Sequence, residues 1–64
     1  MAFDEELAQA TFRFVQAQNS ENAARFAALD GTLTAEKMQN VKDAEIVTEE
    51  HRKELRRLYK ERLG

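Results

Sequence analysis

Leu29-Asp30-Gly31-Thr32-Leu33-Thr34-Ala35-Glu36-Lys37-Met38 is the stretch on which the fold turns. Gly31 sits near the midpoint of a 64-residue chain that has no proline and only one other glycine, the terminal Gly64. Glycine accepts a positive φ without the penalty that a Cβ carries, so Gly31 marks the residue just past a helix end. Thr34 offers a hydroxyl to cap the free N–H groups of a following helix, and Leu33 and Met38 stand at the spacing of a hydrophobic staple across that cap. On both sides Ala, Glu, Gln, Lys, Arg and Leu predominate, all strong helix formers. The stretch predicts one tight turn between two helices.

Working outward, Asp4 is placed to cap the first helix, with Glu5 and Glu6 in the turn where the macrodipole favours acids. The expected elements are a helix over 4–29, a turn over 30–33 and a helix over 34–63. Near-equal helices with a short connection describe an all-α antiparallel hairpin, a single small domain over 1–64. Two segments invite breaks. Gln18-Asn19-Ser20-Glu21-Asn22 is rich in weak helix formers, and the β-branched run Ile46-Val47-Thr48 precedes Glu49 and Glu50 like a second cap. Breaks near 19–20 and 46–48 would give three helices and a helix-turn-helix shape. The unbroken heptad phase through Thr48 favours continuity.

In the second helix Val41, Ala44, Thr48, His51, Leu55, Leu58 and Arg62 alternate at spacings of three and four, the pattern of a coiled-coil seam. The first helix has a matching row in Ala8, Phe12, Val15, Asn19, Asn22, Phe26 and Leu29. It also has a second apolar stripe, Phe3, Leu7, Ala10, Phe14 and Ala17, on the opposite side. With the first row taken as the seam, Phe3, Leu7 and Phe14 are left exposed as a surface that binds another protein or stacks on nucleic-acid bases, since exposed apolar rows mark contact sites, unless a dimer partner buries the first helix on both sides. Asn19 and Asn22 interrupt the seam, where buried asparagine fixes register and oligomer state, unless a local bend turns both amides to solvent.

The apolar fraction of 42% is 27 residues, ten of them alanine. Chains this short bury only about 60% of their unfolded surface. With no cysteine for disulfides and a single histidine, the expected reinforcement is self-association. Two hairpins pairing into a four-helix bundle would cover Phe12, Val15, Phe26, Leu55 and Leu58, so a homodimer is expected.

The net charge of −2 hides an asymmetry. Residues 1–50 carry four bases against ten acids, whereas residues 51–64 carry Arg52, Lys53, Arg56, Arg57, Lys60 and Arg62 against Glu54 and Glu61. Acids upstream and bases downstream along one helix is the order the macrodipole favours. The same cluster, in Arg52, Lys53, Arg56, Arg57 and Lys60, is the candidate nucleic-acid surface, although the acidic total runs against it.

No phosphate-binding glycine loop, catalytic triad or paired carboxylates in a cleft can be read from the chain, so the expectation is a non-enzyme with no cofactor, metal or small-molecule substrate. His51 falls in the seam of the second helix, where a buried or half-exposed neutral imidazole is the plain reading and a pH-sensitive interface the sharper one. No stretch spans a membrane and no signal peptide opens the chain, so a cytoplasmic protein is expected.

The layout resembles Rop, a family of plasmid-encoded RNA-binding helical hairpins that dimerise into four-helix bundles. The likeness rests on Arg13-Phe14-Val15 with Gln18 in the first helix and on Leu29-Asp30 at the turn. It implies RNA contact through Phe14, Gln18 and Arg25. Phe3 and Ala10 stand where that surface is polar or basic, Asn19 and Asn22 interrupt the seam, and the second helix is longer and more basic. The likeness is therefore one of architecture. The leading functional expectation is a small helical regulator or adaptor, of bacterial or phage type, that acts by protein–protein contact. Nucleic-acid binding is the alternative.

Overall fold

The computed structural model describes residues 3–64, with Met1 and Ala2 outside the described residues. Helix α1 spans Glu5–Leu29 and helix α2 spans Ala35–Leu63, packed side by side as an antiparallel hairpin. Both ends begin as the punctuation predicts. The Asp4 carboxylate accepts from the Leu7 N–H at 3.1 Å, and the Thr34 hydroxyl accepts from the Lys37 N–H at 3.2 Å. Gly31 has φ +76°, the left-handed backbone that lets the chain reverse. The Lys37 ammonium closes the turn by donating to the carbonyls of Asp30 and Thr32. Neither suspected break occurs: α1 is continuous through Asn19 and Ser20, and α2 through Ile46–Thr48.

The register follows from three cross-helix contacts. Arg62 Nε donates to Asp4 Oδ2 at 2.7 Å, Thr48 Oγ1 to the Ala17 carbonyl at 3.2 Å, and Arg25 Nη2 to Glu45 Oε1 at 3.2 Å. This spacing places Leu7 level with Leu58, and Phe14 level with His51. The seam of α2 is the expected one: Thr48 and Leu58 are buried, and Val41, Ala44, His51 and Leu55 are half-buried.

The seam of α1 is not the expected one. Ala10 and Ala17 are buried, and Leu7, Phe14, Glu21, Ala24 and Ala28 are half-buried, so this row faces α2. Phe12 is 62% and Phe26 74% exposed, with Val15 and Leu29 also exposed, on the far side of α1. The two stripes have exchanged roles. Leu7 and Phe14 are interior residues of the hairpin, and the row expected to be the seam looks outward.

Side-chain size explains the exchange. Alanines at 10, 17, 24 and 28 form a low ridge, so α2 approaches closely enough for the Thr48 hydroxyl to reach the α1 backbone. The phenylalanines of the outer row would hold the helices further apart. Glu21 tolerates its place in the inner row because its carboxylate meets Arg25 at 2.7 Å, four residues on.

The resulting core is thin. Leu58 is the one large side chain fully buried among the described residues, and such a side chain contributes only about 2 kcal/mol. The molecule measures 51 × 16 × 11 Å with a radius of gyration of 15.0 Å. A compact chain of this length would have about 11 Å.

Two substitutions separate the inner row from the outer one. Ala17→Leu pushes the helices apart at Thr48 and is expected to cost ~1–3 kcal/mol in urea unfolding followed by circular dichroism. Thr34→Ala removes the cap of α2 and is expected to cost ~1 kcal/mol in the same assay.

Candidate interaction surface

Three surfaces remain once the inner rows are paired. The first is the outer face of α1, where Ala8, Phe12, Val15, Asn19, Asn22, Phe26 and Leu29 run almost the length of the helix. Both asparagine amides are exposed on the hairpin, which leaves them on the outer surface and not in the helix–helix contact. Phe3, 80% exposed, lines one groove of about 580 Å³ with Ala8 and Phe12, so it belongs to this face. Of the expected protein-binding set, Phe3 alone is on the surface as foreseen, while Leu7 and Phe14 are turned inward. Of the expected self-association set, Phe12, Val15 and Phe26 are outward and free to meet another chain. Leu58 is fully buried and Leu55 half-buried inside the hairpin, so the pair serves intramolecular packing.

The second surface is an apolar groove of about 490 Å³ at the turn, with Leu29, Leu33, Met38 and Val41 on its walls. Leu33 and Met38 share it, as the staple spacing requires. The third is the outer side of α2. Among the five candidate basic residues, Arg57 is held between Glu54 and Glu61, each at 2.5 Å. Arg52 bonds Glu49 at 2.6 Å and lies over the Phe14 ring at 5.7 Å. Lys53, Arg56 and Lys60 are exposed and carry no ion pair among the described residues.

The residues that the Rop likeness implies do not converge. Phe14 is half-buried against α2 beneath Arg52, while Gln18 and Arg25 are exposed, and Arg25 is engaged by Glu21 and Glu45. His51 lines a cleft of about 370 Å³ with Arg13, Gln16, Ser20 and Asp43 on one flank of the hairpin. No set of three metal-ligating side chains converges among the described residues. No helix there is long and apolar enough to cross a membrane.

Sequence reasoning missed the clamp at the open end. Arg62 reaches across from α2 to Asp4 at 2.7 Å and to Glu6 at 2.5 Å, so one guanidinium ties the last turn of α2 to the first turn of α1. Its signal lies in the sequence, because Arg62 continues the α2 seam and an antiparallel hairpin brings that end of α2 beside Asp4, Glu5 and Glu6. The bond to Arg62, helped by the Leu7 N–H, holds the Asp4 carboxyl below its ordinary range. Arg57 does the same for Glu54. Comparison with family models, with curated proteins and with solved structures finds no match.

The sign of the pH dependence follows. Asp4 has a lower pKa folded than unfolded, so its contribution is complete above its unfolded value of about 3.9 and is lost as pH falls through the folded one. Thermal unfolding below that value is expected to show a steeper loss of stability for the native chain than for Asp4→Asn. Parallel curves for the two proteins would remove the clamp from the account.

Proposed function

We propose that the chain is a small non-enzymatic helical regulator or adaptor that works in the cytoplasm by protein–protein contact, and that its contact surface is the outer face of α1. One observation carries the reading. The apolar row Phe12–Val15–Phe26–Leu29 has no partner within the hairpin. The chain exposes 5145 Å², whereas a folded monomer of its mass exposes about 4,200 Å². The surplus of roughly 900 Å² goes with the elongated shape, in which a two-helix layer leaves both outer faces uncovered. A row of exposed large apolar side chains along one helix face is the usual mark of a docking site.

A photo-reactive phenylalanine analogue tests it in intact cells. Placed at position 12 or 26, it is expected to give protein adducts on irradiation, while the same analogue at position 53 on α2 gives none. Equal yields from both faces, or no adduct from α1, would overturn the reading.

A second reading rests on Lys53, Arg56 and Lys60, three cations on one stretch of α2 with no ion pair among the described residues. Neutralising three phosphates would make duplex binding fall with salt at a log–log slope of about −2.7. Anisotropy of a labelled duplex is expected to show no such binding. A slope of that size, abolished by the triple alanine variant at 53, 56 and 60, would install nucleic acid as the partner instead.

A further inference from the structure

Resting on that reading, we infer that the occupant of the outer α1 face is a second copy of this chain, its α1 antiparallel to the first. In the pairing assigned, Asn19 meets the partner's Asn22, Phe12 the partner's Leu29 and Val15 the partner's Phe26. A two-fold axis takes the same patch from each copy, so a row that is complementary to itself can cover itself.

Charge selects the helix. Between Leu7 and Leu29 the only charged residues of α1 are Arg13, Glu21 and Arg25, none in the outer row, and Glu21 and Arg25 pair with each other. The edges of the row are Gln9, Gln16 and Ala23 on one side and Thr11, Gln18 and Arg25 on the other, and Arg25 already pairs with Glu21 and Glu45. The outer side of α2 carries Lys42, Glu49, Glu50, Lys53, Arg56 and Lys60, so covering it with its own copy would take charges of both signs out of water.

The asparagines select the register. With Asn19 against the partner's Asn22, each amide meets an amide on both sides of the two-fold axis, and every large apolar side chain meets another. A slide of one heptad in one direction sets Asn22 against the partner's Phe12. The opposite slide sets Asn22 against the partner's Phe26 and Asn19 against the partner's Leu29. Either slide buries an amide with no hydrogen-bonding partner, a cost that makes asparagine a register device in helical seams. A parallel pairing would match each asparagine with its own copy. It would also bring Asp4, Glu5 and Glu6 beside their copies at aligned positive helix ends that then repel one another. The antiparallel arrangement separates those ends and yields a four-helix layer in which α1 and its copy are the two inner helices and each α2 flanks one of them.

The test uses the purified full chain, which has no cysteine of its own. Light scattering across a concentration series is expected to give twice 7.4 kDa. Phe26→Ser is expected to weaken the dimer roughly 100-fold, since each dimer loses two central anchors. Cysteine pairs read orientation without disturbing the apolar layers. Asn19→Cys with Asn22→Cys is expected to oxidise to a covalent dimer. Ala8→Cys alone is expected to stay unlinked, because its two copies lie roughly 25 residues or about 37 Å apart along the antiparallel helices. Linkage through Ala8→Cys would overturn the antiparallel assignment, and a dimer insensitive to Phe26→Ser would overturn the face. A monomer at every concentration would overturn the second copy as occupant. If residue 12 then gave adducts with a different protein in cells, the docking reading would stand without it.

Discussion

The closeness of α1 to α2 at Ala17 and Thr48 is the constraint on which the rest of the molecule depends. Thr48 is 2% exposed, and its hydroxyl lies 3.2 Å from the Ala17 carbonyl and 2.9 Å from its own helix's Ala44 carbonyl. A threonine proton reaches a neighbouring helix's backbone only where nothing larger than alanine stands between them. Alanines at 10, 17, 24 and 28 provide that along most of α1. Once they face α2, the helical period carries Phe12, Val15 and Phe26 to the opposite side. The apolar outer face is thus a geometric consequence of the alanine ridge.

Small side chains make a close but weak contact. An alanine ridge buries little apolar area, and the ion pairs that fasten the hairpin lie at its surface, where such pairs add modestly. Arg62 on Asp4 and Glu6 secures the open end, Arg25 on Glu45 secures the part nearer the turn, and Lys37 seals the turn carbonyls. They set register more than they supply stability. A hairpin held in this way gains much by covering its outer row, so the thin core and the exposed phenylalanines have a single physical origin.

The two outer sides of the hairpin are chemically distinct. On α1 the surface is apolar and amide-bearing, with few charges, and on α2 it is densely charged with both signs and solvated. This division lets one molecule bury one side and keep the other in water. The basic residues closest to Glu49, Glu54 and Glu61 are largely neutralised by them, which reduces the positive field that the C-terminal composition alone suggests.

Local signals in the sequence determined the elements. Asp4, Gly31 and Thr34 act within a turn of their own position, so the caps, the reversal and the helix bounds were legible to within a residue or so. The α2 seam was legible as well, because only one of its stripes is apolar. On α1 two stripes share the same period, and periodicity is blind to which of them turns inward. Counting large apolar residues favours Phe12, Val15 and Phe26. Packing favours the alanines, since a helix pair closes best where its ridges are lowest and where Thr48 finds a carbonyl. Only the tertiary structure decided that, through a contact between residues 31 positions apart in the chain.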